Sequence, residues 1–117
     1  MKIDILGTKY DVKYVNQGTD DMIDNGLAGY CDHSMKKIVL LRLKTSPAYA
    51  NVSDEGRANE EKSTLRHEIL HAFFNESGLQ ANTCQFEQGW ATNEEMVDWF
   101  AVQSPKIFTA FQKAGAI

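Results

Sequence analysis

The apolar residues of this chain change their spacing once, before its midpoint, and that change constrains the fold more than any other feature. In the first part they recur at almost every second position, which is the period of a strand with one buried face. This alternation predicts a hairpin that turns at Gly7 and Thr8, and a second hairpin over residues 27–43 that turns at residues 33–36. The polar stretch 16–26 between the two hairpins is predicted to be a loop.

The second part of the chain has the 3.6-residue period of amphipathic helices. Glycine, proline and capping residues in this part of the chain mark the expected ends of the helices. The predicted elements are a loop over 46–57, a helix from about Ala58 to Gly78, a connector over 80–91, a helix capped by Thr92 or Asn93 that ends near Pro105, and a short helix over 106–114. Strands followed by helices predict an α+β fold: a small antiparallel sheet of two hairpins packed on two or three helices, as one domain over 1–117.

Composition narrows the class of protein. The net charge is −4 and the basic residues are scattered, so nothing favours a nucleic-acid partner. The N-terminal segment alternates apolar and charged residues, which is not the pattern of a signal peptide, and no run is long enough to span a membrane. A cytoplasmic location is expected. Cys31 and Cys84 lack metal-binding spacing and are predicted to be reduced structural thiols.

The first predicted helix carries the sequence His67-Glu68-Ile69-Leu70-His71, an H-E-x-x-H pattern. Helix positions four apart differ by roughly 40° around the axis and about 6 Å along it, so His67 and His71 can bind one cation from one face. Glu68 lies about 100° from His67, close enough to reach a water on that cation.

A chance occurrence of this pattern has to be weighed. It is expected about once in 200 chains of this composition, and the simpler alternative is a solvated helix face or a core histidine. The apolar residues of the helix occupy one broad sector, and both histidines lie at its edge. A fully solvated face would more naturally carry Lys–Glu pairs, so a metal site is the favoured interpretation.

A catalytic zinc site requires a third protein ligand and an open position. The candidates are His33, Cys31, Asp32, Cys84 and the carboxylates of the second helix. In the segment "GWATNEEMVDWF", Glu94 and Asp98 share an edge of the apolar sector, as the two histidines do on their own helix. Glu94 is favoured over Glu95 as the ligand because Asp98 lies one turn away on the same face. If the two apolar faces pack together, the two polar edges can meet.

H-E-x-x-H followed by N-E-x-x-x-D resembles the gluzincin zinc peptidases, the thermolysin-like group. The resemblance covers about a third of the chain. It implies a zincin-like minimal catalytic domain with one zinc ion held by His67, His71 and Glu94. It further implies that Glu68 is the general base of a peptidase that cleaves peptide bonds through a metal-activated water. Asn93 and Asp98 would support the ligands. The predicted partner is a peptide or protein substrate.

A looser resemblance covers more of the chain. The segments "AGYCDHSMKKIVLL", "STLRHEILHAFFNESGL" and "NEEMVDWFA" are similar to short phage and prophage proteins related to the ImmA/IrrE metallopeptidases. This implies a phage or prophage origin and the host cytoplasm, and it implies no substrate.

The chain departs from full-size gluzincins, which carry a Tyr or His after the motif to stabilise the oxyanion. It has no tyrosine after Tyr49 and no histidine after His71. The remaining candidates for that role are Tyr30, Tyr49, His33 and Arg66. There is also no large second domain, so a shallow cleft, or a partner protein that supplies part of it, is expected. A zinc-stabilised phage regulatory or binding protein with little turnover is therefore the alternative function, and a metal-free adaptor is a third.

Three further predictions concern residues near the motif. The segment "KIVLLRL" is the candidate edge strand for substrate binding by strand addition, or else an ordinary core strand. His33 is expected to be a turn residue without function. Trp90 and Trp99 are candidates to line a pocket, although the position of Trp99 on the apolar sector favours the core.

Overall fold

The computed structural model describes residues 1–83 and 89–117, apart from the side chains of residues 82 and 83. Four strands and four α-helices are present in this part of the chain. The strands are β1 (Lys2–Ile5), β2 (Thr8–Val15), β3 (Gly29–Asp32) and β4 (Lys37–Leu41). The helices are α1 (Asp21–Asp24), α2 (Asp54–Glu76), α3 (Leu79–Thr83) and α4 (Glu94–Lys113), and short 3-10 turns cover Leu43–Thr45, Pro47–Tyr49 and Trp90–Thr92. The predicted α+β class is confirmed. None of the described helices is both long and apolar enough to cross a bilayer.

The sheet has the strand order β1-β2-β4-β3, and it is mixed. β1 with β2 and β3 with β4 form the two predicted antiparallel hairpins, but β2 and β4 run parallel. The prediction of an antiparallel sheet is therefore wrong at the junction of the hairpins. The cause lies in residues 16–26, predicted as a loop, which include α1; Asp20 caps that helix by accepting from the Met22 and Ile23 amides. This crossover returns the chain so that β4 enters beside β2 in the same direction.

The predicted strand "KIVLLRL" corresponds to β4, an interior strand between β2 and β3. The four residues from Ile38 to Leu41 are all buried, so side chains on both faces of this strand are covered. Continuous apolar runs of this kind are typical of strands buried on both faces. The alternative that this segment is an ordinary core strand is confirmed, and the alternative that it is an exposed edge for substrate is wrong. The edge strands of the described sheet are β1 and β3.

The helix α2 crosses one face of the sheet and carries the H-E-x-x-H motif. It begins at Asp54, four residues before the predicted Ala58, because Ser53 caps it by accepting from the Gly56 amide. Its inner side packs on a core of residues from β1, β2 and β4 that includes Tyr10 and Ile38, both fully buried. The opposite face of the sheet is covered by α1 and the chain after β4.

A close approach between β3 and α2 depends on Gly29. A Cβ atom at this position would lie 2.8 Å from Thr64 Cγ2 of α2 and 2.9 Å from a methyl carbon of Leu40. Any larger residue would therefore force the side chains of Thr64 and Leu40 to shift. The motif helix therefore lies directly against the edge strand.

The C-terminal end of α2 is tied to the sheet through Glu76. Its carboxylate accepts from Tyr10 Oη at 2.7 Å and from Thr8 Oγ1 at 3.0 Å, and it pairs with Lys36 Nζ at 2.5 Å. Lys36, followed by the tyrosine hydroxyl, lowers the pKa of Glu76 to about 2. These bonds fix the end of the helix over β2.

The helix α4 is continuous from Glu94 to Lys113, so the predicted break at Pro105 and the separate helix 106–114 are wrong. Proline lacks the amide that would bond to the carbonyl four residues earlier, which here belongs to Ala101. That carbonyl instead accepts from Arg66 Nε of α2. The helix continues because a side chain from the neighbouring helix replaces the missing donor.

Candidate metal centre

The two histidines of the motif face one another on α2. His67 Nε2 and His71 Nε2 lie 3.0 Å apart, and both side chains are more than four-fifths buried. Two nitrogen ligands at about 2.05 Å from a tetrahedral zinc ion would be about 3.3 Å apart. The imidazole pair therefore already has nearly the separation that one shared cation requires.

Glu94, the first residue of α4, completes a set of three donors. Its Oε2 lies 3.0 Å from His67 Nε2, and its Oε1 lies 3.1 Å from His71 Nε2. The side chain of Glu94 is 64% exposed, so the carboxylate closes the pair from the solvent side. Glu95 points elsewhere and lines a different pocket on the outer side of α4.

Asp98 holds His67 from the other side of the ring. Its Oδ1 lies 2.7 Å from His67 Nδ1, where the imidazole donates the hydrogen bond. With the proton on Nδ1, the lone pair of Nε2 is directed at His71 and Glu94. Asn93, implied by the resemblance to support a ligand, caps α4 by accepting from the Met96 amide at 2.8 Å. It thereby fixes the helical turn that carries Glu94.

Glu68 is a buried carboxyl beside this cluster. Its side chain is 9% exposed, and its Oε1 lies 3.8 Å from His67 Nε2. Burial raises the pKa of Glu68 to about 7; the charge of His67 opposes this shift, while those of Glu94 and Asp98 add to it. Burial likewise lowers the pKa of His71, which favours the neutral imidazole that metals bind.

These donors form a group that could hold a metal ion. Among the described residues, ligand atoms of His67, Glu68 and His71 all lie within 4.8 Å of one another. Glu94 is nearer to the imidazole pair than Glu68 is, at about 3 Å against 3.8 Å. Both carboxylates therefore lie near the imidazole pair, and that of Glu94 is the nearer.

The cluster lies in a cavity of about 340 Å³ between α2, α4 and the edge strand β3. A second hollow of about 490 Å³ shares His67 and Glu68 with it and extends past Glu60 and Thr64. Together they form a groove along β3, which we call the site groove. Gln80, which the sequence did not single out, also lines it.

The open edge of β3 presents its backbone to the site groove. The amide of Leu41 donates to the carbonyl of Ala28 at 2.9 Å, and bonded pairs alternate along an antiparallel ladder. The N–H and C=O groups of Gly29 and Cys31 therefore point away from β4, and both residues line the cavity. This edge could pair with an extended peptide laid in the groove.

The four residues that were candidates to stabilise the oxyanion are placed differently in the structure. Tyr30 lines the cavity, but its hydroxyl donates to Asp20 at 2.8 Å. Tyr49 packs on the far face of the sheet, and Arg66 Nε is bonded to α4. His33 lies in the predicted turn and lines the same cavity as the metal cluster. Its expected lack of function stays a prediction.

The two cysteines have different outcomes. Cys31 is a free thiol that packs against the core beneath α2, as expected for a reduced structural residue. Burial raises its pKa to about 12, so it is protonated at neutral pH. Cys84 lies outside the described residues.

Protein-family models, curated proteins and solved structures were compared with this chain, and none of them matches. The gluzincin and ImmA/IrrE resemblances, and the zincin-like form of the fold, therefore stay predictions.

Proposed function

We propose that this protein is a zinc-dependent peptidase in which His67, His71 and Glu94 hold one zinc ion. The observation that carries the proposal is the approach of Glu94, on a separate helix, to within about 3 Å of both imidazole nitrogens. Nitrogen donors with one carboxylate suit zinc. The H-E-x-x-H…N-E-x-x-x-D pattern of the gluzincins supports the same assignment.

The proposed reaction is amide hydrolysis. Zinc, when bound, lowers the pKa of a water and polarises a carbonyl group. Glu68 takes the proton of the attacking water and passes it to the leaving amine. Asp98 keeps the proton of His67 on Nδ1, and the burial of Glu68 keeps bulk water from the carboxyl that carries the proton.

The substrate is an extended polypeptide paired with the edge of β3. Support comes from the outward N–H and C=O groups of Gly29 and Cys31 beside the cluster. A partner protein that completes the cleft fits the proposal, because the side chain of Glu94 is 64% exposed on the solvent side of the site. A phage-encoded protein working in the host cytoplasm is the setting that we propose.

The test combines metal analysis with turnover. Purified protein is expected to hold one zinc per chain, and the His71→Ala variant to lose it. Glu68→Gln keeps the zinc and loses cleavage of unfolded casein by at least about a hundredfold, since general-base catalysis contributes about 10²–10⁴. Glu55→Gln, an exposed glutamate in the first turn of α2 and outside the site groove, is the matched control and keeps full activity.

A second function is favoured by the exposure of Glu94 and by the bonds that occupy Tyr30 and Arg66. A zinc-stabilised regulatory or binding protein would need the metal-binding residues, but it would need no side chain to stabilise an oxyanion. If this function is the right one, the wild-type protein binds zinc and peptides, and its turnover does not differ from that of Glu68→Gln. Absence of bound zinc would overturn both proposals.

A further inference from the structure

Another pocket, separate from the cavity and the hollow that form the site groove, lies on the outer side of α4, away from the sheet. It has a volume of about 880 Å³ and is lined by Trp90, Trp99, Met96, Val102, Glu95, Asp98, Asn93 and Gln103. We call it the tryptophan pocket. Trp90 is 56% exposed and Trp99 is 55% exposed, so the prediction that Trp99 belongs to the core is wrong. These are the only two tryptophans of the chain.

The tryptophan pocket adjoins the site groove. It shares Asp98 and Val102 with the 490 Å³ hollow, and that hollow contains His67 and Glu68. A polypeptide that lies over the metal cluster can therefore reach the tryptophan pocket by passing Asp98. Exposed indoles at the end of a binding groove can contact the bound polypeptide, which isolated surface indoles cannot.

The lining of this pocket combines aromatic faces with negative charge. The indoles of Trp90 and Trp99 supply two π faces, and Glu95 and Asp98 supply two carboxylates. No lysine or arginine is among the described residues that line it. A purely apolar side chain would partly desolvate these carboxylates and bring them no cation, although Asp98 keeps its bond to His67. A long aliphatic stem that ends in a cation satisfies the aromatic and the acidic groups together.

We propose that the tryptophan pocket binds a lysine or arginine side chain of the polypeptide substrate. The proposal rests on the proposed function, because it takes the groove over the metal cluster as the path of the substrate. The stem lies on the indoles and the cation faces Glu95 and Asp98. This pocket then selects basic segments as substrates of the enzyme.

The two tryptophans make the test direct, because both indole N–H signals in a ¹⁵N-correlated NMR spectrum come from this pocket. Zinc-loaded Glu68→Gln protein is titrated with alanine heptapeptides that carry one central lysine, arginine, norleucine or glutamate. Both indole signals are expected to shift with lysine and arginine. The basic peptides should bind about fivefold to twentyfold more tightly than norleucine, and the difference should shrink in high salt.

Two variants separate the aromatic and the acidic contributions. Glu95→Gln keeps the shape of the side chain and should reduce the preference for lysine over norleucine. Trp99→Leu should weaken the lysine and norleucine peptides alike, with the Trp90 signal still reporting. Glu55→Gln, outside both this pocket and the site groove, is the charge-matched control and should leave the preference unchanged.

The possible results are decisive. Equal affinity for lysine and norleucine peptides would show an ordinary apolar surface and overturn the proposal. Indole shifts that follow protein concentration without peptide would show that a second copy covers the pocket, and would also overturn it. A lysine preference without any cleavage by wild-type protein would refute the peptidase and leave a pocket for basic peptides. Cleavage without a lysine preference would refute this inference alone.

Discussion

Replacing Arg66 by methionine tests how α4 can remain helical through Pro105. The substitution keeps a long side chain and removes the donor that satisfies the Ala101 carbonyl. Ala101 is 1% exposed, so water cannot readily replace that donor. The decisive comparison is the same substitution in a Pro105→Ala background, where residue 105 regains its amide and can bond to Ala101 within the helix.

The expected cost follows from the nature of the bond. A hydrogen bond to a charged donor contributes about 1.5–3 kcal/mol, and its loss here leaves a buried carbonyl unsatisfied. Arg66→Met should therefore lower the free energy of unfolding by about 2 kcal/mol, or the melting temperature by about 8 °C for a domain of this size. With alanine at position 105 the same change should cost less than about 1 kcal/mol, which gives a coupling of at least about 1 kcal/mol.

Urea unfolding followed by circular dichroism measures all four proteins of this cycle. Lys62→Met, which removes an exposed cation from the same helix, is the control and should cost less than about 0.5 kcal/mol. If Arg66→Met is equally destabilising with proline and with alanine at position 105, the bond does not compensate for the proline. The explanation of the continuous helix would then be refuted.

Two further predictions concern the charged groups around α2. Asp98→Asn should weaken zinc affinity about tenfold to a hundredfold in a competition with a chelator, because the partner that orients His67 loses its charge; unchanged affinity would contradict that role. Glu76 has its pKa lowered to about 2 from an ordinary 4.5, so its contribution to stability is present above about pH 4.5 and is lost as the pH falls towards 2. Glu76→Gln should flatten the acid limb of stability measured by urea unfolding between pH 5 and 2, and an acid limb as steep as that of Glu60→Gln would count against the assignment.

The features that could be predicted from the sequence are those that depend on the spacing of residues close together in the chain. Both hairpins and the turn at residues 33–36 follow from alternation, and the α+β class follows from the single change of period. The four-residue spacing of His67 and His71, and of Glu94 and Asp98, predicted which residues could share a helix edge. Those side chains meet in the structure because the two apolar faces pack through Phe74 and Val97.

What the sequence could not supply depends on contacts between distant segments. The parallel pairing of β2 with β4 depends on the path of residues 16–26, although the continuous apolar run of β4 was a signal for an interior strand. Proline normally ends a helix, and nothing near Pro105 in the sequence shows that Arg66 supplies the missing donor. The exposure of Trp99 could not be predicted either, because the spacing of apolar residues does not show which part of a helix face will be covered by another element.

The position of α4 links the stability of the fold to the proposed metal site. Glu94 and Asp98 lie one turn apart on α4, and they contact the two nitrogens of the same imidazole ring on α2. His67 is therefore oriented for a metal only while α4 is docked. By mass action, zinc at a hundred times its dissociation constant should raise the free energy of unfolding by about 2.7 kcal/mol. Arg66→Met loosens α4, so it should weaken zinc affinity although it removes no ligand. Unchanged zinc affinity in that variant would show that the docking of α4 and the metal site are independent.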